Sequence, residues 1–228
     1  MRLIIPPTRS RTKMTSQQRK LAAAGVLLIL IVWFFWPSPY SRVRNLGSHG
    51  TNIIAFGDSL TAGYGAPPGQ DYPLRLASLI GATVINAGAS GDTTEMALAR
   101  LDSDVLWRDP RIVIVGLGGN DYLGGMPISA TEASLRTIVR KIQASGAMAV
   151  LLGFRFPSLN ANYEDMYTRV AREEGCLLVS GVLRGILTDP SLKSDEIHPN
   201  ARGYQLMAER IAGPCRKLIR KANSARNF

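Results

Sequence analysis

From residue 51 onward, short apolar runs alternate with segments in which apolar residues recur every three or four positions. The runs at 52–56, 83–86, 111–117, 147–153 and 176–180 predict strands, and the periodic segments at 72–80, 93–106, 131–144, 163–174 and 201 to about 221 predict helices. The runs are apolar throughout rather than alternating, which is the pattern of strands buried on both faces. They therefore predict a five-stranded parallel sheet with helices on both sides, an α/β three-layer sandwich. Local signals mark the ends of the helices. Asp92 with Glu95 and Ser129 with Glu132 fit capping boxes, and Gly146 is a stop signal after the third helix. No internal repeat or low-complexity segment interrupts the pattern.

A different pattern stands before residue 51. Residues 21–36, LAAAGVLLILIVWFFW, carry no charge and follow Arg19 and Lys20. At 1.5 Å per residue, such a helix reaches about 24 Å, short of a hydrocarbon core of about 30 Å, but Lys20 can snorkel and Trp33 and Trp36 suit the interface. The rival is a cleaved signal peptide. No small-x-small site follows, only bulky aromatics and Pro37-Ser38-Pro39, so the expectation is an uncleaved transmembrane signal anchor. Its basic flank places residues 1–20 in the cytoplasm as an arm, and the body across the inner membrane, in the periplasm of a bacterium. Met14 precedes a shorter basic flank and is an alternative start that leaves topology unchanged. The remaining expected boundaries are a linker at 37–50, the main domain at 51–213 and a basic tail at 214–228.

Charge supports this division. The chain of 228 residues has a formal net charge of +10, from 27 basic and 17 acidic residues. Six basic residues fall within the first 40 positions and five more after Pro214, with no acid in either stretch. Removing these eleven leaves 16 basic against 17 acidic residues, so the body is not a basic nucleic-acid surface. Cys176 and Cys215 do not make a disulfide framework; Cys176, in an apolar run, reads as a small buried hydrophobe, and a bridge between the two is left open.

Chemistry concentrates where predicted strands end. Ser59 follows the first strand, Gly91 the second and Asn120 the third, while Asp195 and His198 precede the last helix. A serine hydroxyl needs a histidine to take its proton and a carboxylate to fix that histidine's tautomer, and Ser59, His198 and Asp195 fit those roles. The other histidine, His49, lies in a polar Gly/Ser stretch. Acyl transfer also needs donors aimed at the developing oxyanion. The Ser59 N–H, the Gly91 N–H and the Asn120 amide are the candidates. No His/Cys/Asp cluster has metal-ligand spacing, so neither metal nor organic cofactor is expected.

The blocks FGDSLTAGYG, NAGASGDTT, GLGGND and DEIHPN, in this order, resemble the four blocks of the SGNH-hydrolase superfamily, the GDSL esterases and lipases. The stretches GDTTEMALARLDSDV and FRFPSLNANYEDMYTRVAREEG resemble its bacterial lysophospholipase, arylesterase and thioesterase subgroup. The resemblance implies a flavodoxin-like sheet of order 2-1-3-4-5, Ser59 as nucleophile, Asp195 and His198 as the rest of the triad, and Gly91 and Asn120 as oxyanion donors. It also implies carboxylic esters and thioesters as substrates, such as lysophospholipids, aryl esters and short or medium acyl esters. Two alternatives accompany it: a deacetylase of an envelope polysaccharide, and a non-catalytic tethered envelope-binding domain.

Each residue also has a plainer reading. Asp58 orders the turn that exposes Ser59, Asp121 buttresses the Asn120 loop, and Gly-Gly-Asn-Asp is a loop sequence tolerant of positive φ. Phe154 and Phe156 fit core or loop packing. Tyr122, Leu123 and Met126 directly follow Asn120 and are expected to form an acyl-binding wall, to which the adaptable Met is suited.

Overall fold

The computed structural model describes residues 15–18, 21–25, 38–155 and 161–226. The chain divides into two units, Met1–Ser38 and Pro39–Phe228. In the first, residues 16–18 and 21–25 are helical. Among the described residues no helix is long and apolar enough to cross a membrane. Most of the expected span, residues 26–36, lies outside the described residues, as does Met14.

The second unit is the predicted three-layer sandwich. Strands β1 (Asn52–Gly57), β2 (Val84–Gly88), β3 (Pro110–Gly116), β4 (Met148–Gly153) and β5 (Leu177–Ser180) form one parallel sheet in the order β2-β1-β3-β4-β5. β4 is buried at every position and β3 at all but Arg111, which is why these segments read as continuous apolar runs. Helices α1 (Ser59–Ala62), α2 (Tyr72–Ile80), α3 (Thr94–Asp104), α4 (Gly119–Leu123), α5 (Ile128–Ala144), α6 (Ala161–Glu174) and α7 (Ala201–Arg226) complete it. Two of these, α1 and α4, were not predicted. At four and five residues they are too short for a 3.6-residue period to show.

Both expected capping boxes are corrected. Thr93, not Asp92, caps α3, accepting from the Met96 N–H at 3.3 Å, because Asp92 is engaged by Arg100. α5 begins at Ile128, right after Pro127, so Ser129 is inside the helix and Glu132 is paired with Arg136 and Arg169 instead. Proline supplies a fixed φ suited to a helix entry without a side-chain cap.

Residues 38–50 are not a linker, and residues 214–226 are not a separate tail. Tyr40 and Val43 are buried in the core, Arg44 donates its N–H to the Gly175 carbonyl (2.9 Å), and the Asn45 amide reaches the carbonyls of Gln143 (2.7 Å) and Ala147 (3.0 Å). This strap crosses the edge where the strands begin. α7 continues through Pro214 because its buried stripe, Tyr204, Met207, Ile211, Cys215, Leu218 and Ala222, keeps helical spacing past the proline. The charged face that suggested a tail is this helix's solvent side. Cys176 and Cys215 are free and buried, and burial pushes both thiols up to about 12.

Candidate active site

The end of β1 fixes Ser59. Gly57 pairs with Gly88 of β2 on one side and Gly116 of β3 on the other. A Cβ at Gly88 would overlap the backbone of Thr61 and Ala62, and one at Gly57 would overlap the Thr61 hydroxyl and the Gly116 carbonyl. The bare strand ends therefore let α1 rest directly on the sheet, where the Asn86 amide holds the Thr61 carbonyl at 2.8 Å. Asp58 caps α1, its Oδ1 accepting from the Leu60 N–H at 3.0 Å, and Ser59 is the first helical residue.

His198 meets Ser59 from the loop before α7. Its Nε2 lies 3.0 Å from Ser59 Oγ, and its Nδ1 lies 2.8 Å from Asp195 Oδ2. Asp195 Oδ1 accepts from the Ile197 and His198 N–H groups at 2.9 and 2.8 Å. Burial pushes the Asp195 carboxyl up, but these N–H donors and the imidazole outweigh it, leaving it below the usual carboxylate range. The loop is closed by the Lys193–Pro199 bridge and by Asn200, whose Oδ1 accepts from the N–H groups of Arg202 and Gly203 at the start of α7. The Tyr64 ring packs against the imidazole with centroids 4.5 Å apart, and the Tyr204 hydroxyl holds the Tyr64 carbonyl at 2.8 Å.

Asn120 comes from α4, which is preceded by Gly118 as its N-cap, in the left-handed region at φ 107°. Its amide donates to the Asp92 carbonyl at 2.8 Å, which leaves its second hydrogen for the cleft it lines. Asp121 is fully buried and accepts from both the N–H (2.9 Å) and the hydroxyl of Thr94, so it locks α4 to α3 as a buttress. Gly91 lies in the turn after β2 at φ 89°, exposed, one residue before the Asp92 carbonyl that holds Asn120. It is not among the residues lining the cleft.

That cleft, of about 20 Å³, is lined by Ser59, Leu60, Asn120, Leu123, Ile197 and His198, with Asp58 and Gly119 beneath. Of the three expected wall residues only Leu123, 53% exposed, reaches it. Asn120 and Leu123 are three apart and share a face of α4. Tyr122 points away and packs edge-on against Tyr163, with centroids 5.4 Å apart, while Met126 sits half-buried beyond the helix end. Phe154 is buried core against Tyr167; Phe156 lies outside the described residues.

Sequence reasoning missed Arg100. From α3 its guanidinium binds Asp92 (2.6 Å) and the carbonyls of Gly57 (2.9 Å) and Ala87 (3.0 Å), and it lies over the Phe56 ring at 4.5 Å. It ties the ends of β1 and β2 to the residue that holds Asn120. Of its partners only Asp104, at i,i+4 on the same helix, has a spacing that the sequence could signal.

Burial pushes the Asp58 carboxyl up to about 7; the Leu60 N–H opposes this, and the nearby carboxylates of Asp92 and Asp121 add to it. A folded pKa above the unfolded value of about 3.9 means that the folded state holds the extra proton between roughly pH 4 and 7. The contribution is thus fully present below pH 4 and is lost as pH rises through 7. Asp58→Asn keeps an acceptor for Leu60 and cannot ionise, so urea denaturation should show its stability falling less between pH 4 and 8 than that of wild type. The difference should be on the order of a few kcal/mol. Parallel pH profiles would show that Asp58 titrates normally.

The profile of the GDSL-like Lipase/Acylhydrolase family matches residues 55–206. The chain belongs to this family. It is 31% identical over 175 residues to the thioesterase 1/protease 1/lysophospholipase L1 of Escherichia coli K12, covering 73% of this chain and 84% of that one. It is also 31% identical over 198 residues to an arylesterase of Vibrio mimicus, covering 82% and 96%. Among solved structures, the psychrotrophic esterase EstA from Pseudoalteromonas, described as inhibited by monoethylphosphonate, superposes with a TM-score of 0.67 at 27% identity, over 74% of this chain and 98% of that one. This GDSL-family member is a carboxylic ester hydrolase, which removes the non-catalytic binding domain from consideration.

Proposed function

We propose that the protein hydrolyses carboxylic esters and thioesters through an acyl-enzyme on Ser59. The observation that carries this reading is the continuous chain from Ser59 Oγ to His198 Nε2 and from His198 Nδ1 to Asp195, at 3.0 and 2.8 Å. His198 takes the Ser59 proton as Oγ attacks the carbonyl carbon, and Asp195, held as carboxylate, stabilises the imidazolium that forms. The Ser59 N–H and the second Asn120 amide hydrogen receive the negative charge on the carbonyl oxygen; the Gly91 N–H, outside the cleft lining but one residue before the Asp92 carbonyl that holds Asn120, is the third donor of this proposal. His198 then gives its proton to the leaving oxygen or sulfur. Deacylation repeats the sequence with water as nucleophile, restoring Ser59.

The names of the relatives suggest aryl esters, thioesters and lysophospholipids as substrate classes, and short and medium acyl esters belong to the same proposal. The uncharged stretch 21–36 acts as an inner-membrane signal anchor with the domain in the periplasm. Protease added to intact spheroplasts should then digest the domain and spare the N-terminal arm; a domain protected until the membrane is lysed would contradict this.

The narrow cleft gives a specific expectation for chain length. On p-nitrophenyl esters from acetate to decanoate, kcat/KM should climb over the first few carbons, as each methylene leaving water contributes up to about 0.8 kcal/mol, and then level off once the chain passes Leu123. Leu123→Ser should flatten the climb and leave acetate turnover nearly unchanged. Acyl-CoA and lysophospholipid assays separate the remaining classes. The small cleft also favours one second reading, deacetylation of an envelope polymer. A wild type fastest on acetate with steady decline thereafter would select it.

A further inference from the structure

The strap 38–50 and the C-terminal half of α7 meet at the edge of the sheet where the strands begin. Lys217 Nζ lies 4.9 Å from the Tyr40 ring centroid, and Arg226 donates to the carbonyls of Ser48 and Gly50. The strap's charged residues are Arg42 and Arg44, and α7 adds Arg216, Lys217, Arg220 and Lys221 ahead of Arg226; no acidic residue occurs in 38–50 or 214–226. All of these basic side chains are exposed. Among the described residues none of them forms an ion pair, whereas Arg136, Arg140 and Arg169 on the α5–α6 face are each matched to a glutamate. On the same edge, the turn before β3 presents Trp107, 79% exposed, beside the exposed Arg108.

The active site lies at the other end of α7. His198 stands just before its first residue and Arg226 is its last, so 26 residues at about 1.5 Å each put the two ends roughly 39 Å apart.

We propose that this basic edge docks on an anionic phospholipid surface and turns the catalytic edge toward water, so that esters reach Ser59 from the aqueous phase. An unpaired cluster of one sign is complementary to an anionic leaflet, and an exposed indole suits the headgroup layer. In the sequence, the strap also begins two residues after the apolar stretch 21–36. From Pro39 onward the face belongs to the second unit alone, and its binding stands or falls separately from the anchor.

The test uses residues 39–228, the compact unit that contains the whole buried core and the site. Trp107 is its only tryptophan. The fragment should co-sediment with vesicles of equimolar phosphatidylcholine and phosphatidylglycerol and not with phosphatidylcholine alone. Binding should fall as salt rises, and Trp107 emission should shift to the blue on the anionic vesicles only. Each basic side chain near an anionic leaflet strengthens binding about fivefold. The Arg216→Gln, Lys217→Gln, Arg220→Gln, Lys221→Gln variant should therefore bind at least about 100-fold more weakly while hydrolysing p-nitrophenyl acetate like wild type. Should that variant fail to fold, Arg42→Gln, Arg44→Gln should weaken binding about 25-fold. Equal binding to both vesicle types, no binding, variants that bind like wild type, or capture of a duplex oligonucleotide in preference to the vesicles would each overturn the proposal.

Discussion

Ester hydrolysis by Ser59→Ala or by His198→Ala is expected to fall by about 10⁶-fold, and the double variant should be scarcely slower than either single one. The two side chains act as one unit: without the imidazole the hydroxyl keeps its proton, and without the hydroxyl the imidazole has no nucleophile to activate. Ser59 Oγ is hydrogen-bonded to His198, and the α1 cap depends on Asp58 instead, so alanine at 59 leaves the helix start intact. Thermal unfolding of the two variants should stay close to wild type. Substantial hydrolysis by Ser59→Ala would sink the mechanism, and additive losses in the double variant would show that the pair does not work together.

Asn120→Ala should lower kcat by about 10²–10³-fold with little change in KM, the loss expected when one preorganised oxyanion donor is removed. The ground-state carbonyl binds weakly to such a donor and the tetrahedral intermediate strongly, so the effect falls on turnover. Asn120 also donates to the Asp92 carbonyl, and a purely structural role would appear as a lowered melting temperature with kcat preserved. Wild-type turnover in Asn120→Ala would remove it from the oxyanion site.

The parts of this architecture legible in the sequence are those with a repeating physical signature. Strands buried on both faces are continuous apolar runs, and the long helices carry amphipathic periods, so β1 to β5 and α2, α3, α5, α6 and α7 were found in order, with ends shifted by a few residues. Ser59, Asn120, Asp195 and His198 could be singled out because the chemistry restricts residue type and because each lies beside a predicted strand end or helix start; the structure brings Ser59, His198 and Asp195 into one hydrogen-bonded chain and lines the same cleft with Asn120. What escaped depends on contacts between segments far apart in sequence. The segment 37–50 reads as a linker because what fastens it, the buried Tyr40 and Val43 and bonds to backbone carbonyls, makes no hydrophobic period. Arg100 carries no signal of its role in the sequence because its partners Gly57 and Ala87 are carbonyls on two strands. The tail was split from α7 because charge changes at Pro214 while the buried stripe does not. Tyr122 and Met126 were placed in the wall by sequence proximity to Asn120, but α4 is a helix and turns only Leu123 to the same side.

The central claim, that Ser59 is the activated nucleophile, is tested most directly by a fluorophosphonate probe followed by intact mass and peptide mapping. The wild-type protein should take up one adduct, located on Ser59, with hydrolysis lost in proportion to labelling. His198→Ala should label far more slowly and Ser59→Ala not at all. An adduct on any other residue, equal labelling of Ser59→Ala, or a wild type that hydrolyses esters without taking up the probe would contradict the account.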